Sequence, residues 1–140
     1  MRKAGVTVSI RDGETALENE LLRVEIGADG TIARLFDVSA GRDALAGRGN
    51  QLWAYLDKPR AWDAWDVDET YERDGEEIGG ITQIKIVETG SLRASVRVAR
   101  AWRSSRIVQT YRLWTGSPRL DVETSVDWHE RQILLKARFP

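Results

Sequence analysis

Apolar and polar residues alternate with a period of two along most of this 140-residue chain. The pattern is clearest in residues 120–128, where one row consists of Leu120, Val122, Thr124, Val126 and Trp128. The other row consists of Asp121, Glu123, Ser125 and Asp127. Because successive side chains of a β-strand point to opposite faces, such alternation predicts a strand with one buried face.

The same alternation recurs in short segments separated by turn sequences. Asp29-Gly30 divides two apolar runs and predicts a hairpin, because glycine readily adopts the positive φ of such turns. In chain order the strand-like segments are residues 6–10, 22–26, 31–36, 51–56, 84–86, 92–98, 106–114, 120–128 and 133–139. The sequence therefore predicts roughly eight or nine strands in an all-β, antiparallel β-sandwich. Residues 1–140 are predicted to form a single β-sandwich segment. Because the chain stops directly after a strand-like run, we expect a partial sandwich cut from a longer polypeptide.

Composition excludes several classes of protein. The net charge of −1 gives no reason to expect a nucleic-acid partner. The chain has no cysteine, which excludes disulfides and thiolate metal sites and favours a cytoplasmic location. No apolar run approaches the roughly 18 residues of a membrane helix, so no membrane partner is expected.

Charge is divided between two parts of the chain. Residues 57–77, the acidic connection, interrupt the alternation and carry nine carboxylates against three basic residues. Residues 91–119 contain seven arginines and no acid: Arg93, Arg97, Arg100, Arg103, Arg106, Arg112 and Arg119. We expect these arginines on the solvent faces of adjacent strands, where a carboxylate-bearing partner would relieve their repulsion.

The acidic connection contains PRAWDAWDVDETYE at residues 59–72, which combines indoles with carboxylates. Trp62 and Trp65 suit the C–H faces of a sugar ring, while Asp63, Asp66 and Asp68 suit its hydroxyl groups. The alternative is that the indoles plug the edge of the sandwich while the acids face water. The residues alone leave both interpretations open.

Neither a catalytic residue nor a metal ligand can be assigned to this chain. Paired carboxylates serve glycosidases, but nearness in an acidic loop is weak support for such a pair. Asp66, Asp68 and Glu77 have the spacing of a calcium loop, yet Tyr71 stands where that loop requires glycine. A looser calcium site stays open. One histidine, His129, is too few for a histidine zinc site, and we expect it to be structural.

Three stretches together resemble the β-rich region downstream of the catalytic domain in α-mannosidases of glycoside hydrolase family 38. They are LENELLRVEIGADGTIARLFDVSAGRDAL from Leu17, GNQLWAYLDKPRAWDAWDVDETYE from Gly49, and WHERQILLKARFP from Trp128. The resemblance covers residues 17–140. It implies a galactose-mutarotase-like super-sandwich that packs on an N-terminal catalytic domain and lends residues to the edge of its cleft.

For function, the resemblance implies a non-catalytic segment of a retaining enzyme that hydrolyses α-mannosidic linkages. Zinc is implied for the parent's catalytic domain and no cofactor for this chain, which alone should not hydrolyse glycosides. The expected partners are the catalytic domain, a mannoside glycan and, through open sheet edges, a second copy. Trp62, Asp63, Trp65, Asp66 and Asp68 are the predicted substrate-binding or domain-interface residues. An autonomous carbohydrate-binding module and a structural or dimerisation domain are the alternatives.

Overall fold

The structure is a computed structural model that describes residues 5–62 and 67–140, and it confirms an all-β, antiparallel architecture. The strands are β1 (Thr7–Arg11), β2 (Glu14–Glu18), β3 (Leu22–Ile26), β4 (Ile32–Asp37), β5 (Arg42–Asp43), β6 (Gln51–Leu56), β7 (Gly75–Glu77), β8 (Ile81–Thr89), β9 (Arg93–Trp102), β10 (Ser105–Trp114), β11 (Leu120–Asp127) and β12 (Ile133–Arg138). A 3₁₀ helix, Tyr71–Asp74, precedes β7. No helix of the described residues has the length and apolarity to cross a membrane.

The strands form three sheets, and two of these pack face to face. The five-stranded sheet has the order β1-β2-β3-β4-β5, and the four-stranded sheet has the order β11-β10-β9-β8. One apolar cluster joins them, with Leu17, Val24 and Ile26 from the first sheet and Val96 and Val98 from the second. These residues occupy alternate strand positions, so the period-two pattern produces the sandwich core.

A third sheet, with the order β12-β6-β7, packs against the end of the sandwich. Its inward side contributes Leu52 and Ala54 to a second apolar cluster with Ile78 and Ile107. Trp102 and Trp128 border this cluster and stack with ring centroids 5.7 Å apart and planes 13° apart. Because the inward side of the small sheet is packed in this way, its other side is fixed as an outer surface.

Within the described residues the structure has more strands than the eight or nine predicted. β2 is missing from the prediction because Thr15, Ala16 and Leu17 are buried consecutively and show no alternation. β5 and β7 have only two and three residues, too few for a period to be visible. These short strands extend the predicted sheets without changing the fold class.

One predicted orientation and one predicted burial are wrong. Arg100, expected on a solvent face, is 1% exposed because it continues the inward row of Val96 and Val98. Thr124 and Val126, expected to be buried in the inward row of β11, are exposed. The alternation gives the direction of a side chain but not whether another layer covers it.

A buried polar network surrounds Arg100 and connects all three sheets. The guanidinium donates to the Gln109 side chain at 3.1 Å and to the Asp29 carbonyl at 3.0 Å. Asn50, which directly precedes β6, donates to Gln109 at 2.9 Å and to the Tyr111 hydroxyl at 2.7 Å. Since buried polar groups are costly without partners, this network fixes the start of β6 relative to the sandwich.

Carboxylates from neighbouring strands pair with several of the surface arginines. Arg93 pairs with Glu88 of β8, and Arg112 pairs with Glu123 of β11 at 3.0 Å. Arg103 reaches Glu76 of the acidic connection at 3.1 Å. The carboxylates that the arginine-rich strands require are therefore supplied in part by the chain itself.

Candidate functional site: the outer face of the three-stranded sheet

The acidic connection leaves from the end of β6 and returns to the sheet as the 3₁₀ helix and β7. Alternation in β6 places Leu52 and Ala54 in the second core, so Trp53 and Tyr55 lie on the outer face. Lys136 of β12 is the register partner of Trp53, and side chains directly opposite each other share a face. Two aromatic rings and a cation thus meet where the acidic connection ends.

Three aromatic rings form one group on this face. The rings of Trp53 and Tyr55 lie 6.1 Å apart between centroids, with planes 19° apart. Tyr71, from the 3₁₀ helix, meets Tyr55 edge-on at 5.2 Å and 78°. Edge-to-face packing is a favoured aromatic geometry, so Tyr71 anchors the end of the acidic connection to the sheet.

Gly75 allows the Tyr55 ring to lie directly on the backbone of β7. A Cβ atom at this position would lie 2.4 Å from Cε1 of the ring and 2.5 Å from Cδ1. Gly75 and Tyr55 are also register partners in the β6–β7 pair. The absence of a side chain at residue 75 therefore sets the position of the ring.

Lys136 holds the charged groups of this face together. Its Nζ donates to the Tyr71 hydroxyl and to Glu72 at 3.3 Å, and it lies 4.9 Å from the Tyr71 ring centroid. The hydrogen bonds to Tyr71 and Glu72 raise the pKa of Lys136. The hydrogen bond from Lys136 in turn lowers the pKa of Glu72, so this carboxylate stays ionised.

A second set of contacts holds Trp53 from the opposite side. Its Nε1 donates to Gln51 at 3.0 Å, and Gln51 donates to the carbonyl oxygen of Arg48 at 2.9 Å. The Arg48 guanidinium binds both oxygens of Glu77, at 2.7 and 3.1 Å, and also Asp29 at 2.9 Å. A bidentate guanidinium–carboxylate contact is geometrically specific. It holds Arg48, whose carbonyl oxygen in turn positions Gln51 beside the Trp53 indole.

These side chains surround an open depression of about 600 Å³. It is lined by Trp53, Tyr55, Glu72, Lys136, Ala137, Arg138 and Phe139. Concave sites with aromatic walls and a few fixed polar groups are typical of ligand-binding surfaces. The face suits a ligand with both C–H surfaces and hydroxyl groups, or a protein surface with aromatic and acidic residues.

The structure describes two of the five residues predicted from the Trp-Asp pattern. Trp62 is 74% exposed and has a φ of 59°, which is uncommon for a bulky residue. Asp68 is half-buried and lines a small cavity of about 70 Å³ beside Asp57 and Tyr71. Asp63, Trp65 and Asp66 lie outside the described residues. Trp62 does not plug the sandwich edge, because its indole faces solvent.

A metal site in this chain finds no support in the part that the structure describes. No three histidine, cysteine, aspartate or glutamate side chains come together there in a way that would hold a metal ion, so these residues do not fit zinc. Glu77, the closing residue of the calcium-like spacing, is occupied by Arg48. His129 pairs with Asp127 at 2.7 Å just beyond the end of β11, which agrees with a structural role.

Sequence reasoning placed the candidate site in the acidic connection and missed the sheet on which the connection ends. QLWAYL was interpreted only as a strand, although its alternation places two aromatic residues opposite the row of Leu52 and Ala54. These two aromatic residues on one face were the feature of the sequence that could have identified the site. The sequence gives no such signal for Tyr71 and Lys136, because their contact joins residues 65 positions apart.

Comparisons with protein families and with individual proteins agree on one family. Residues 17–140 match the C-terminal domain of glycosyl hydrolases family 38. Alpha-mannosidase 2C1 from Mus musculus and from Homo sapiens are each 35% identical over 138 residues, covering 92% of this chain and 13% of the relative. Alpha-mannosidase G from Dictyostelium discoideum is 31% identical over 133 residues, covering 89% of this chain and 12% of the relative.

Proposed function

The chain belongs to the C-terminal domains of glycosyl hydrolases family 38, and we propose that it is the non-catalytic β-domain segment of a retaining α-mannosidase. In this proposal the enzyme hydrolyses α-mannosidic linkages and carries its zinc on an N-terminal catalytic domain. The chain spans 13% of the length of the mammalian relatives. The observation that carries the proposal is the family match over residues 17–140.

The outer face of the small sheet, together with the acidic connection, is the proposed contact with the catalytic domain and the border of its mannoside site. Trp62 presents an exposed indole, and Trp53 and Tyr55 wall the depression on the outer face of the small sheet. Indole faces pack on sugar C–H groups, and carboxylates accept hydrogen bonds from sugar hydroxyls. Trp62, Asp63, Trp65, Asp66 and Asp68 remain the proposed residues for this contact.

The charge state of Glu72 argues against this residue as the general acid of a glycosidase. A glycosidase acid needs a raised pKa so that it is protonated when the leaving group departs. Glu72 has a lowered pKa because Lys136 donates to it.

Kinetics of the longer enzyme test this proposal. Trp62→Ala should lower kcat/KM for an α-mannoside by about tenfold, which corresponds to about 1.4 kcal/mol, while Tm stays unchanged. Trp114→Ala is the matched control, because Trp114 is also exposed but lies on the outer face of the four-stranded sheet. Equal kinetics for Trp62→Ala and the wild type would reject the proposed contact.

Asp66→Asn tests the carboxylates of the acidic connection. In the longer enzyme it should change kcat or KM for the mannoside while leaving thermal stability nearly unaltered. Asp12→Asn is the control, because Asp12 lies in the β1–β2 turn at a φ of 50°, which asparagine tolerates. A destabilised Asp66→Asn enzyme with normal kinetics would contradict a role in binding.

A titration of the 140-residue chain separates the other candidates. The aromatic depression favours an autonomous carbohydrate-binding module, and saturable quenching of tryptophan fluorescence by mannose or methyl α-mannoside would support that function. Absence of quenching is the result expected for a site completed by the catalytic domain. The free edges of β1, β8, β11 and β12 also offer a route to self-association, which sedimentation would detect.

A further inference from the structure

β11 is incompletely covered. It pairs with β10 through eight consecutive residue pairs, from Leu113↔Leu120 to Arg106↔Asp127, with no shift of register. Its other edge carries no strand within the described ranges. Residues 123–127 are exposed in both the inward and the outward row, and Val126 is 41% exposed. Val126 lies in the inward row opposite the buried Ile107, yet no described element covers this end of the strand, and the outer edge of β11 is open.

The other free edges of the described chain are less suited to accept a strand. Register shifts interrupt β8 at Ile81/Gln83 and at Ile86/Glu88, and such irregularities blunt an edge. β5 and β7 are only two and three residues long, and β1 and β12, with five and six residues, are shorter than β11. β11 has eight residues, no register shift and no proline. It is therefore the edge best suited to continue a sheet.

Charge on β11 restricts what can pair with it. Asp121, Glu123 and Asp127 occupy its outward row. Glu123 binds Arg112 at 3.0 Å yet keeps 72% of its side chain exposed, and the side chain of Asp127 is 74% exposed. A second β11 would place carboxylates opposite carboxylates, which destabilises a strand pair. A strand with basic outward residues would meet opposite charges instead.

The inward row sets the second requirement for the partner. Leu120 and Val122 pack against the main core, whereas Val126, further along the same row, is 41% exposed. A strand that continues the sheet adds its inward side chains beside this row. Apolar residues at those positions would cover Val126 and extend the core.

We propose that the free edge of β11 pairs with an extended strand from another region of the α-mannosidase polypeptide, with Lys or Arg at its outward positions and apolar residues at its inward positions. This inference rests on the proposed function, because it assigns the strand to the longer enzyme. The relatives have sequence to supply it, since this chain spans 13% of the mammalian proteins. Main-chain hydrogen bonds would provide the affinity, and the alternating side chains the selectivity.

Amide hydrogen exchange by mass spectrometry tests the proposal on the 140-residue chain and on the longer enzyme. Edge amides without a partner exchange readily, and pairing slows them. We expect peptides covering residues 120–127 to exchange at least about tenfold slower in the longer enzyme, while those from the central strand β9 change little. Equal exchange of residues 120–127 in both proteins would overturn the inference.

A charge reversal tests the chemistry of the partner. Glu123→Lys in the longer enzyme should reduce the protection of residues 120–127, because a lysine in the middle of the row would then face a basic residue of the partner strand. Glu14→Lys, which reverses an exposed carboxylate on β2, should leave that protection intact. Unchanged protection in Glu123→Lys would overturn the assignment of a basic partner. Exchange of Glu123→Lys in the 140-residue chain separates this effect from loosening of β11 itself.

Two further outcomes are decisive. If the 140-residue chain forms a dimer whose residues 120–127 lose protection on dilution, the occupant is a second copy and the inference is wrong. Mannosidase activity of the longer wild-type enzyme is measured separately. An enzyme that is active but leaves β11 unprotected would refute this inference and leave the proposed function standing. An enzyme that protects β11 but has no mannosidase activity would refute the proposed function and leave this inference standing.

Discussion

Replacement of Gly75 by alanine tests the packing on which the outer face of the small sheet depends. The new Cβ would lie 2.4 Å from Cε1 of Tyr55, more than about 1 Å inside normal carbon–carbon contact. The ring cannot move freely, because Tyr71 meets it edge-on and Lys136 lies over both rings. Overpacking of this kind costs about 1–3 kcal/mol, and loss of the aromatic pair adds about 0.5–1.5 kcal/mol.

We therefore expect Gly75→Ala to lower the free energy of unfolding by about 1.5–4.5 kcal/mol, measured by urea denaturation of the 140-residue chain. Gly79→Ala is the matched control, because a Cβ there would meet no atom within 4 Å. The free energy of unfolding of Gly79→Ala should be unchanged or higher by up to about 1 kcal/mol. Equal unfolding midpoints for the two variants would show that Tyr55 does not rest on Gly75 and would refute the described geometry.

Three further predictions concern the sandwich. Backbone amides, that of Gly5 first, and a threonine hydroxyl lower the pKa of Glu20 from 4.5 to about 2. The stabilisation by these hydrogen bonds is complete above about pH 4.5 and is lost as the pH falls towards 2. The urea unfolding midpoints of the wild type and Glu20→Gln should therefore converge over that range. Tyr111→Phe should destabilise the chain by about 1–3 kcal/mol in urea, because it removes a buried hydroxyl that donates to the Gly30 carbonyl at 2.8 Å. Gly80→Ala should lower Tm markedly more than Gly79→Ala, because residue 80 has a φ of 67° and its Cβ would lie 2.1 Å from a carbonyl oxygen of β9.

The alternation predicted burial correctly in β10, which has a partner strand on each side. In β10, Ile107, Gln109, Tyr111 and Leu113 form the expected inward row, and all four are at most 2% exposed. In β11 the same kind of pattern failed for Val126, because no described layer covers it. A sequence period encodes which way a side chain points, while its burial depends on elements far along the chain.

The candidate site was predictable to a lesser extent. The resemblance identified the family, and the Trp-Asp pattern directed attention to Trp62, whose contact role stays a prediction. Trp53 and Tyr55 were visible as an aromatic pair in one strand, but their partners come from Tyr71 and Lys136 through tertiary contacts. Such contacts leave no local period in the sequence.

The exposure of Trp62 in the longer enzyme tests the central claim most directly. Hydroxyl-radical footprinting with mass spectrometry would compare its oxidation rate in the 140-residue chain, where the indole is 74% exposed, with that in the longer protein. Trp114 serves as the internal reference. A junction at the acidic connection predicts that Trp62 oxidises more slowly in the longer enzyme while Trp114 does not change. An unchanged rate for Trp62 would contradict the account.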